Sequence, residues 1–129
     1  MAELFAYIGY RDAPRALTWL EALGFETVRR QDGDDGAVIH AEVRLGDAVL
    51  MLSTADAQYG ELTLVGHSTG SGLYLCTEDV DSIYAAAIGA QGTGVLAPED
   101  TEWGTRRARV LDPEGHEWSF GSYRPGSTW

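Results

Sequence analysis

The chain has 129 residues, of which 44% are hydrophobic and 22% charged, a balance typical of one compact globular domain with a sizeable core. Nine Lys and Arg residues against twenty Asp and Glu residues give a formal net charge of −11, which argues against the basic surfaces that nucleic acids and anionic membranes require. No apolar stretch approaches the roughly eighteen residues of a membrane span, and the single cysteine, Cys76, excludes an internal disulfide and a cysteine-based zinc cluster.

The same features limit where the protein acts and what it binds. The opening residues, MAELFAYIGYRD, lack the basic and apolar regions of a secretory signal, so we expect a cytoplasmic protein. We expect it to bind neither nucleic acid nor membrane. The acidic excess is compatible with a cationic ligand drawn in by electrostatic steering, and in the simpler interpretation it only keeps the protein soluble.

The first half of the chain predicts a β-α-β-β-β unit. Ala6 to Tyr10 has the pattern of a strand, and Asp12 is a suitable cap for a helix with Pro14 in its first turn. Gly24 is a natural end for that helix. Its apolar positions recur at helical spacing: Ala13, Ala16, Leu17, Leu20 and Leu23. Extended segments follow at 25–30, 37–45 and 48–52.

Residues 53–72 show no clear periodicity. They include a glycine-rich run, GHSTGSG, at 66–72. Phosphate-binding loops need a preceding strand, a following helix and usually a lysine, and none of these fits here. We therefore expect a flexible linker at about 57–71.

A second unit of the same kind follows the linker. A strand precedes Asp79, which is placed to cap a second helix, and extended segments follow at 94–96, 105–111 and 117–123. The apolar helical positions are Val80, Ile83, Tyr84 and Ala87. A shift of 67 residues places Asp12 on Asp79 and Ala41 on Ala108, which indicates a duplicated unit. We expect one domain, 1–129, with module one at about 3–56, module two at about 72–124 and a C-terminal tail at 125–129.

This arrangement resembles the vicinal oxygen chelate superfamily, which includes glyoxalase I, fosfomycin-resistance proteins, extradiol dioxygenases and bleomycin-resistance proteins. The resemblance rests on LGDAVLML at 45–52, on WGTRRARVLDPEGHEWSF at 103–120 and on the two strand-Asp-helix openings, and it covers nearly the whole chain. It implies an α+β fold in which two tandem β-α-β-β-β modules form a curled mixed sheet around a cup-shaped cleft, with the helices on the outer face. It also implies a homodimer.

The resemblance further implies where a metal would lie. Metal-dependent members hold a divalent ion with His, Gln or Glu side chains inside the cup, so that the ion can chelate two substrate oxygens. Those positions correspond here to Phe5, Gly72 and Ser119, with a fourth near Glu42. Three of the four side chains bind a metal poorly or not at all. We therefore expect no metal and no other cofactor.

Other chemical groups give weaker signals. His40 and Glu42 share one face of a strand, and as a pair they define an alternative, noncanonical metal site. His116 follows the turn DPEG at 112–115, and there we expect a hairpin with Trp118 and Phe120 facing the core. Cys76 lies in an apolar strand, where we expect inert packing. No Ser, His and Asp set has the context of a catalytic triad, so we name no catalytic residue.

The resemblance therefore favours the bleomycin-resistance type, whose members lack a metal and sequester a cationic aromatic glycopeptide in clefts. We expect a metal-independent protein that binds a small molecule, such as a cationic or aromatic antibiotic. The alternative is a metal-dependent lyase, isomerase or dioxygenase with a noncanonical site. A module that acts only through a protein partner is a third class, and no residue favours it.

The predicted ligand-binding residues have the parity of the inner face or, for Trp103, lie in a loop before an inner strand. They are Phe5, Tyr7, His40, Glu42, Tyr74, Trp103, Arg109, Glu117 and Ser119. Aromatic side chains there would stack on a ligand or bind a cation over the ring. Core packing is the open alternative for the aromatics. An internal ion pair is the alternative for Glu42 and Arg109, which fall at matching points of the two modules.

Overall fold

The structure, a computed structural model, describes residues 3–60 and 62–126 in two compact units, 1–60 and 61–129, called unit 1 and unit 2 below. Unit 1 contains β1 (Ala6–Tyr10), α1 (Ala13–Ala22), β2 (Glu26–Asp32), β3 (Val38–Leu45) and β4 (Ala48–Thr54). Unit 2 contains β5 (Gly72–Cys76), α2 (Val80–Gly89), β6 (Thr93–Asp100), β7 (Arg106–Leu111) and β8 (Glu117–Gly121).

The two units have the same topology. Unit 1 forms a sheet of order β1-β4-β3-β2, and unit 2 forms one of order β5-β8-β7-β6. In each sheet the first pair is parallel and the next two pairs are antiparallel. These two mixed four-stranded sheets, each with one α-helix packed against it, confirm the predicted α+β fold class.

The predicted start and end of α1 are confirmed. The Asp12 carboxylate accepts a hydrogen bond from the backbone N–H of Arg15 at 3.1 Å, as an N-cap residue should. After the helix, Gly24 adopts a φ of +108°, a conformation that glycine reaches without strain. Trp19 is also buried on this helix, although the apolar spacing did not single it out.

Helix α2 begins where predicted but is capped differently. Asp79 occupies the N-cap position, yet within the described residues its side chain makes no capping hydrogen bond. Its backbone N–H instead donates to Thr77 Oγ1 at 3.1 Å. The helix packs through Val80, Ile83 and Ala87, which are buried.

The hairpin between β7 and β8 is organised by Asp112. This buried carboxylate accepts hydrogen bonds from the backbone N–H groups of Glu114 and His116 and from the Trp118 indole. Trp118 and Phe120 are 3% and 0% exposed, which confirms that they face the core.

Three local expectations need correction. Cys76 is exposed, with its Sγ 3.4 Å from the Tyr123 carbonyl oxygen, so it is not a core packing residue. β6 extends to Asp100 because an edge strand with irregular register tolerates Pro98. β8 ends at Gly121 rather than at residue 123.

The interval expected to be a linker is partly fixed to unit 2. Val65 and Ser68 form an isolated antiparallel bridge, and the Thr69 N–H donates to Glu117 Oε1 at 2.6 Å. We predicted a C-terminal tail at 125–129, and its residues 127–129 lie outside the described part of the chain. Neither α-helix of the described chain has the length and apolarity to span a bilayer.

Candidate functional site

One face of the unit 2 sheet packs against α2, and the opposite face carries a row of side chains across all four strands. Tyr74 on β5 pairs with Ser119 on β8, Ser119 pairs with Arg109 on β7, and Arg109 pairs with Leu96 on β6. Directly paired residues point to the same face of a sheet, so these four side chains are neighbours. Since Ala108 and Val110 alternate with Arg109 and are buried, the row lies away from the core.

A cavity of about 660 Å³ lies over this row. That volume is within the range of small-molecule sites. The lining residues are Tyr74, Leu96, Thr101, Trp103, Thr105, Arg106, Arg107, Ala108, Arg109, Ser119, Phe120 and Tyr123. The set combines aromatic walls with three arginines and contains no carboxylate.

Trp103 stands in the short loop between β6 and β7. The loop is braced by a reciprocal pair of threonines, in which the Thr101 N–H donates to the Thr105 carbonyl at 2.8 Å and the Thr105 N–H donates to Thr101 Oγ1 at 3.1 Å. The Arg107 guanidinium lies 5.9 Å from the centre of the indole ring, within cation–π distance. Trp103 remains 63% exposed, so a stable loop presents a large apolar ring to solvent.

Tyr74 forms a second aromatic wall, in a position that a glycine makes possible. A Cβ atom added at Gly121 would lie 2.5 Å from the Tyr74 hydroxyl oxygen, so the tyrosine ring occupies the space above that residue. The hydroxyl donates to the Tyr123 carbonyl at 2.5 Å. Burial raises the pKa of the Tyr74 phenol, so the hydroxyl remains a protonated donor further into the alkaline range than a free tyrosine does.

The three arginines of the cavity differ in how their charge is balanced. Arg106 binds Asp81 at 2.6 Å and Asp100 at 2.9 Å, and its hydrogen bond lowers the pKa of the Asp81 carboxyl. Arg107 binds Glu99 at 2.8 Å.

Arg109 is held by neutral acceptors instead. Its Nε donates to Ser119 Oγ at 3.0 Å, and its Nη1 donates to the His67 carbonyl oxygen at 2.5 Å. Among the described residues of unit 2, 62–126, no carboxylate lies within ion-pair distance of Arg109.

Glu117 has a structural role in this unit. The residue is 8% exposed, and its carboxylate accepts hydrogen bonds from the Thr69 N–H at 2.6 Å and from Ser68 Oγ at 3.2 Å. It lies directly over Gly72, where an added Cβ would be 2.7 Å from Glu117 Oε2. Glu117 thus joins the 65–71 segment to β8 and does not line the cavity.

The metal positions implied by the resemblance do not form a suitable ligand set in this unit. Gly72 has no side chain, and the Glu117 carboxylate fills the space above it. Ser119 Oγ accepts a hydrogen bond from the Arg109 cation, which would repel a divalent ion at that point. Among the residues that the structure describes, no group of three His, Cys, Asp or Glu side chains could hold a metal ion.

Four of the predicted ligand-binding residues lie in unit 1. Phe5 precedes β1 and is 47% exposed, while Tyr7 on β1 shares a 2.6 Å hydrogen bond with Ser53 Oγ. On β3, His40 Nε2 lies 2.7 Å from Glu42 Oε2, and this hydrogen bond lowers the pKa of the Glu42 carboxyl. His40 and Glu42 share a strand face, as their spacing indicated, and they bind each other there.

Unit 2 brings together Tyr74, Trp103, Arg109 and Ser119 around one cavity. The other lining residues were not predicted to bind a ligand: Leu96, Thr101, Thr105, Arg106, Arg107, Ala108, Phe120 and Tyr123. Arg107 has the same strand parity as Arg109 and could have been found on that basis. Tyr123 follows the end of β8, where alternation no longer applies, and Leu96 lies at a register shift of β6.

Comparison with known proteins places this geometry in a family. Residues 5–120 match the model of the Glyoxalase/Bleomycin resistance protein/Dioxygenase superfamily. An uncharacterized protein of Mycobacterium bovis is 35% identical over 115 residues, covering 85% of this chain and 76% of that protein. An uncharacterized protein of Mycobacterium tuberculosis is also 35% identical over 115 residues, covering 85% of this chain and 68% of that protein.

Solved structures agree at the level of the fold. TioX from Micromonospora sp. ML1 is similar, with a TM-score of 0.73 and 27% identity. The match covers 98% of this chain and 100% of the TioX chain. A glyoxalase/bleomycin resistance protein/dioxygenase family enzyme from Burkholderia phytofirmans PsJN has a TM-score of 0.64 at 20% identity, covering 91% and 94% of the two chains. The duplicated topology and the match over residues 5–120 show that this chain belongs to the Glyoxalase/Bleomycin resistance protein/Dioxygenase superfamily.

Proposed function

We propose that this protein binds a small aromatic molecule, reversibly and without a metal, in the cavity of unit 2. The observation that carries the proposal is the exposed Trp103 indole beside a cavity of about 660 Å³. Exposing a tryptophan to this extent gives up the stability that burying it would provide. A ligand ring stacked on the indole would recover that contribution.

The polar groups of the cavity support binding rather than catalysis. Arg106 and Arg107 are held in ion pairs, and Arg109 is held by Ser119 and the His67 carbonyl. The Tyr74 phenol, whose pKa burial raises, stays protonated and donates its hydrogen bond to the Tyr123 carbonyl, so it is not available as a base. Groups held in this way orient a ligand and do not exchange protons with it. Sequestration, in which the ligand is released unchanged, is therefore the activity that we propose.

The oligomeric state of the protein is a second part of the proposal. Members of this superfamily often form dimers, and we expect a homodimer here. The cavity's lining residues all come from unit 2 of a single chain. Ligand binding as proposed does not require a residue from a second copy.

The test is the affinity of a neutral bicyclic probe, naphthalene-2-carboxamide, measured by isothermal titration calorimetry. We expect Trp103→Ala to weaken binding by about 2- to 13-fold, equivalent to a stacking contribution of about 0.5–1.5 kcal/mol. Tyr59→Ala is the matched control, because Tyr59 is an aromatic residue of unit 1 with 64% exposure against 63% for Trp103. Equal losses in the two variants, or no binding by the wild-type protein, would contradict the proposal.

A further inference from the structure

We infer that the ligand carries a carboxylate or a comparable planar anion, and that Arg109 binds this group. The inference rests on the proposed function, because it concerns the same cavity. It adds the charge of the ligand and the residue that binds that charge, whereas the proposed function depends on stacking of the ligand on Trp103.

The local charge of the cavity is opposite to that of the whole chain. The chain has a formal net charge of −11, yet the cavity is lined by three arginines and by no Asp or Glu. Asp81, Asp100 and Glu99 balance the charges of Arg106 and Arg107 from outside the lining. Among the described residues of unit 2, Arg109 is the cavity arginine whose charge no carboxylate balances.

The geometry of Arg109 suits recognition of a planar anion. Its two hydrogen bonds, to Ser119 Oγ and to the His67 carbonyl, use two of the five N–H donors of a guanidinium group. Both acceptors are neutral, so they fix the side chain without cancelling its charge. An arginine held in this way has already lost much of its conformational freedom, and a carboxylate can then form charge-assisted hydrogen bonds to the remaining donors.

The position of Arg109 also fits a ligand with an aromatic body. Arg109 lies in the row with Tyr74, Ser119 and Leu96, while Trp103 stands in the loop that precedes the same strand. Aromatic and aliphatic side chains thus adjoin a cation in one cavity. The matching class of ligand is an aromatic carboxylate. A cationic ligand is disfavoured here, although the net charge of the chain would attract one from a distance.

The experiment compares three probes of equal ring size with the wild-type protein by isothermal titration calorimetry: naphthalene-2-carboxylate, naphthalene-2-carboxamide and 2-naphthylmethylammonium. We expect the carboxylate to bind about tenfold tighter than the carboxamide, and the ammonium compound to bind most weakly. Arg109→Gln should abolish the preference, so that the ratio of carboxylate affinity to carboxamide affinity falls to about one.

Two further variants separate the role of Arg109 from general effects. Arg109→Lys keeps the charge without the planar fork and should retain part of the preference, and it replaces Arg109→Gln if that variant does not fold. Arg30→Gln removes the same formal charge from an exposed ion pair with Asp32 in unit 1, and it should leave the preference unchanged.

The outcomes distinguish the two proposals. If the carboxamide binds and the carboxylate binds no tighter, or if Arg109→Gln keeps the preference, the inference about Arg109 is wrong and the aromatic site stands. If none of the three probes binds to the wild-type protein, both proposals are wrong.

Discussion

Gly121 determines where the Tyr74 ring can lie. It faces the same side of the sheet as Tyr74, and any side chain there would occupy the place of the phenol. The Tyr74 hydroxyl is also fixed by its bond to the Tyr123 carbonyl. One residue without a side chain thus gives the cavity an aromatic wall with a defined orientation.

Gly121→Ala should therefore damage the cavity. The added methyl group would lie 2.5 Å from the Tyr74 hydroxyl oxygen and 3.0 Å from its ring, so the ring must move and lose its hydrogen bond. Overpacking costs about 1–3 kcal/mol in a closed core, and because Tyr74 is 43% exposed we expect the lower end of that range in the free energy of unfolding, measurable by urea denaturation. Affinity for naphthalene-2-carboxamide should fall as well.

Gly89→Ala serves as the control for that substitution. Gly89 ends α2 with nothing within 4 Å of an added Cβ, so alanine there should be neutral or slightly stabilising. If Gly121→Ala were as stable as Gly89→Ala and bound the probe normally, the proposed position of Tyr74 would be wrong.

The sequence indicated some residues of the inner face but not the groups to which they form hydrogen bonds. Strand alternation gave Glu42 and Arg109 the parity of the inner face, and the internal repeat made them equivalent; they lie on the equivalent strands β3 and β7. Parity could not show that Glu42 binds His40 whereas Arg109 binds Ser119 and His67. The reason is that His67 lies in a segment whose sequence has no periodicity, so nothing in that sequence places its carbonyl group beside Arg109.

At the scale of elements, the two helices begin alike in sequence and differ in how they are stabilised. Both follow a strand and an aspartate, at Asp12 and Asp79. The Asp12 carboxylate satisfies a backbone N–H in the first turn of α1, whereas the Asp79 side chain makes no such bond within the described chain. The residue type at an N-cap is visible in a sequence, but the backbone conformation that allows capping is not.

This difference predicts unequal effects of the same substitution. Asp12→Ala should lower the free energy of unfolding by about 1 kcal/mol, because a capping hydrogen bond is lost. Asp79→Ala should cost about 0.3–0.5 kcal/mol, since only the favourable charge at a helix N-terminus is removed. Urea denaturation of both variants measures the difference, and an equal or larger loss for Asp79→Ala would contradict the capping assignment.

The strands were predicted well where alternation and turn residues were clear. β1, β3 and β4 agree with their predicted ranges within two residues at each end. β6 was predicted too short, since Pro98 usually ends a strand and the edge position that tolerates it cannot be read from the chain itself. The 65–71 segment looked unstructured because its order comes from contacts with Glu117 and Arg109.

At the scale of the whole molecule, the internal repeat carried the most information. Few folds repeat a β-α-β-β-β unit twice within 129 residues. The family match over residues 5–120 confirms the superfamily that this repeat indicated. Function does not follow from the fold in the same way. The net charge of −11 is compatible with a cationic ligand, whereas the arginines of the cavity favour the anionic one that we infer. That distinction depends on which charges lie together, which composition cannot show.

The central claim is that an aromatic ligand binds in the cavity of unit 2. Two-dimensional ¹⁵N–¹H NMR of the protein titrated with naphthalene-2-carboxamide tests it most directly. We predict that the largest shift changes occur at the Trp103 indole N–H and at the backbone amides of Tyr74, Arg109 and Ser119. Changes concentrated in β1–β4 of unit 1, or no changes at all, would contradict the claim.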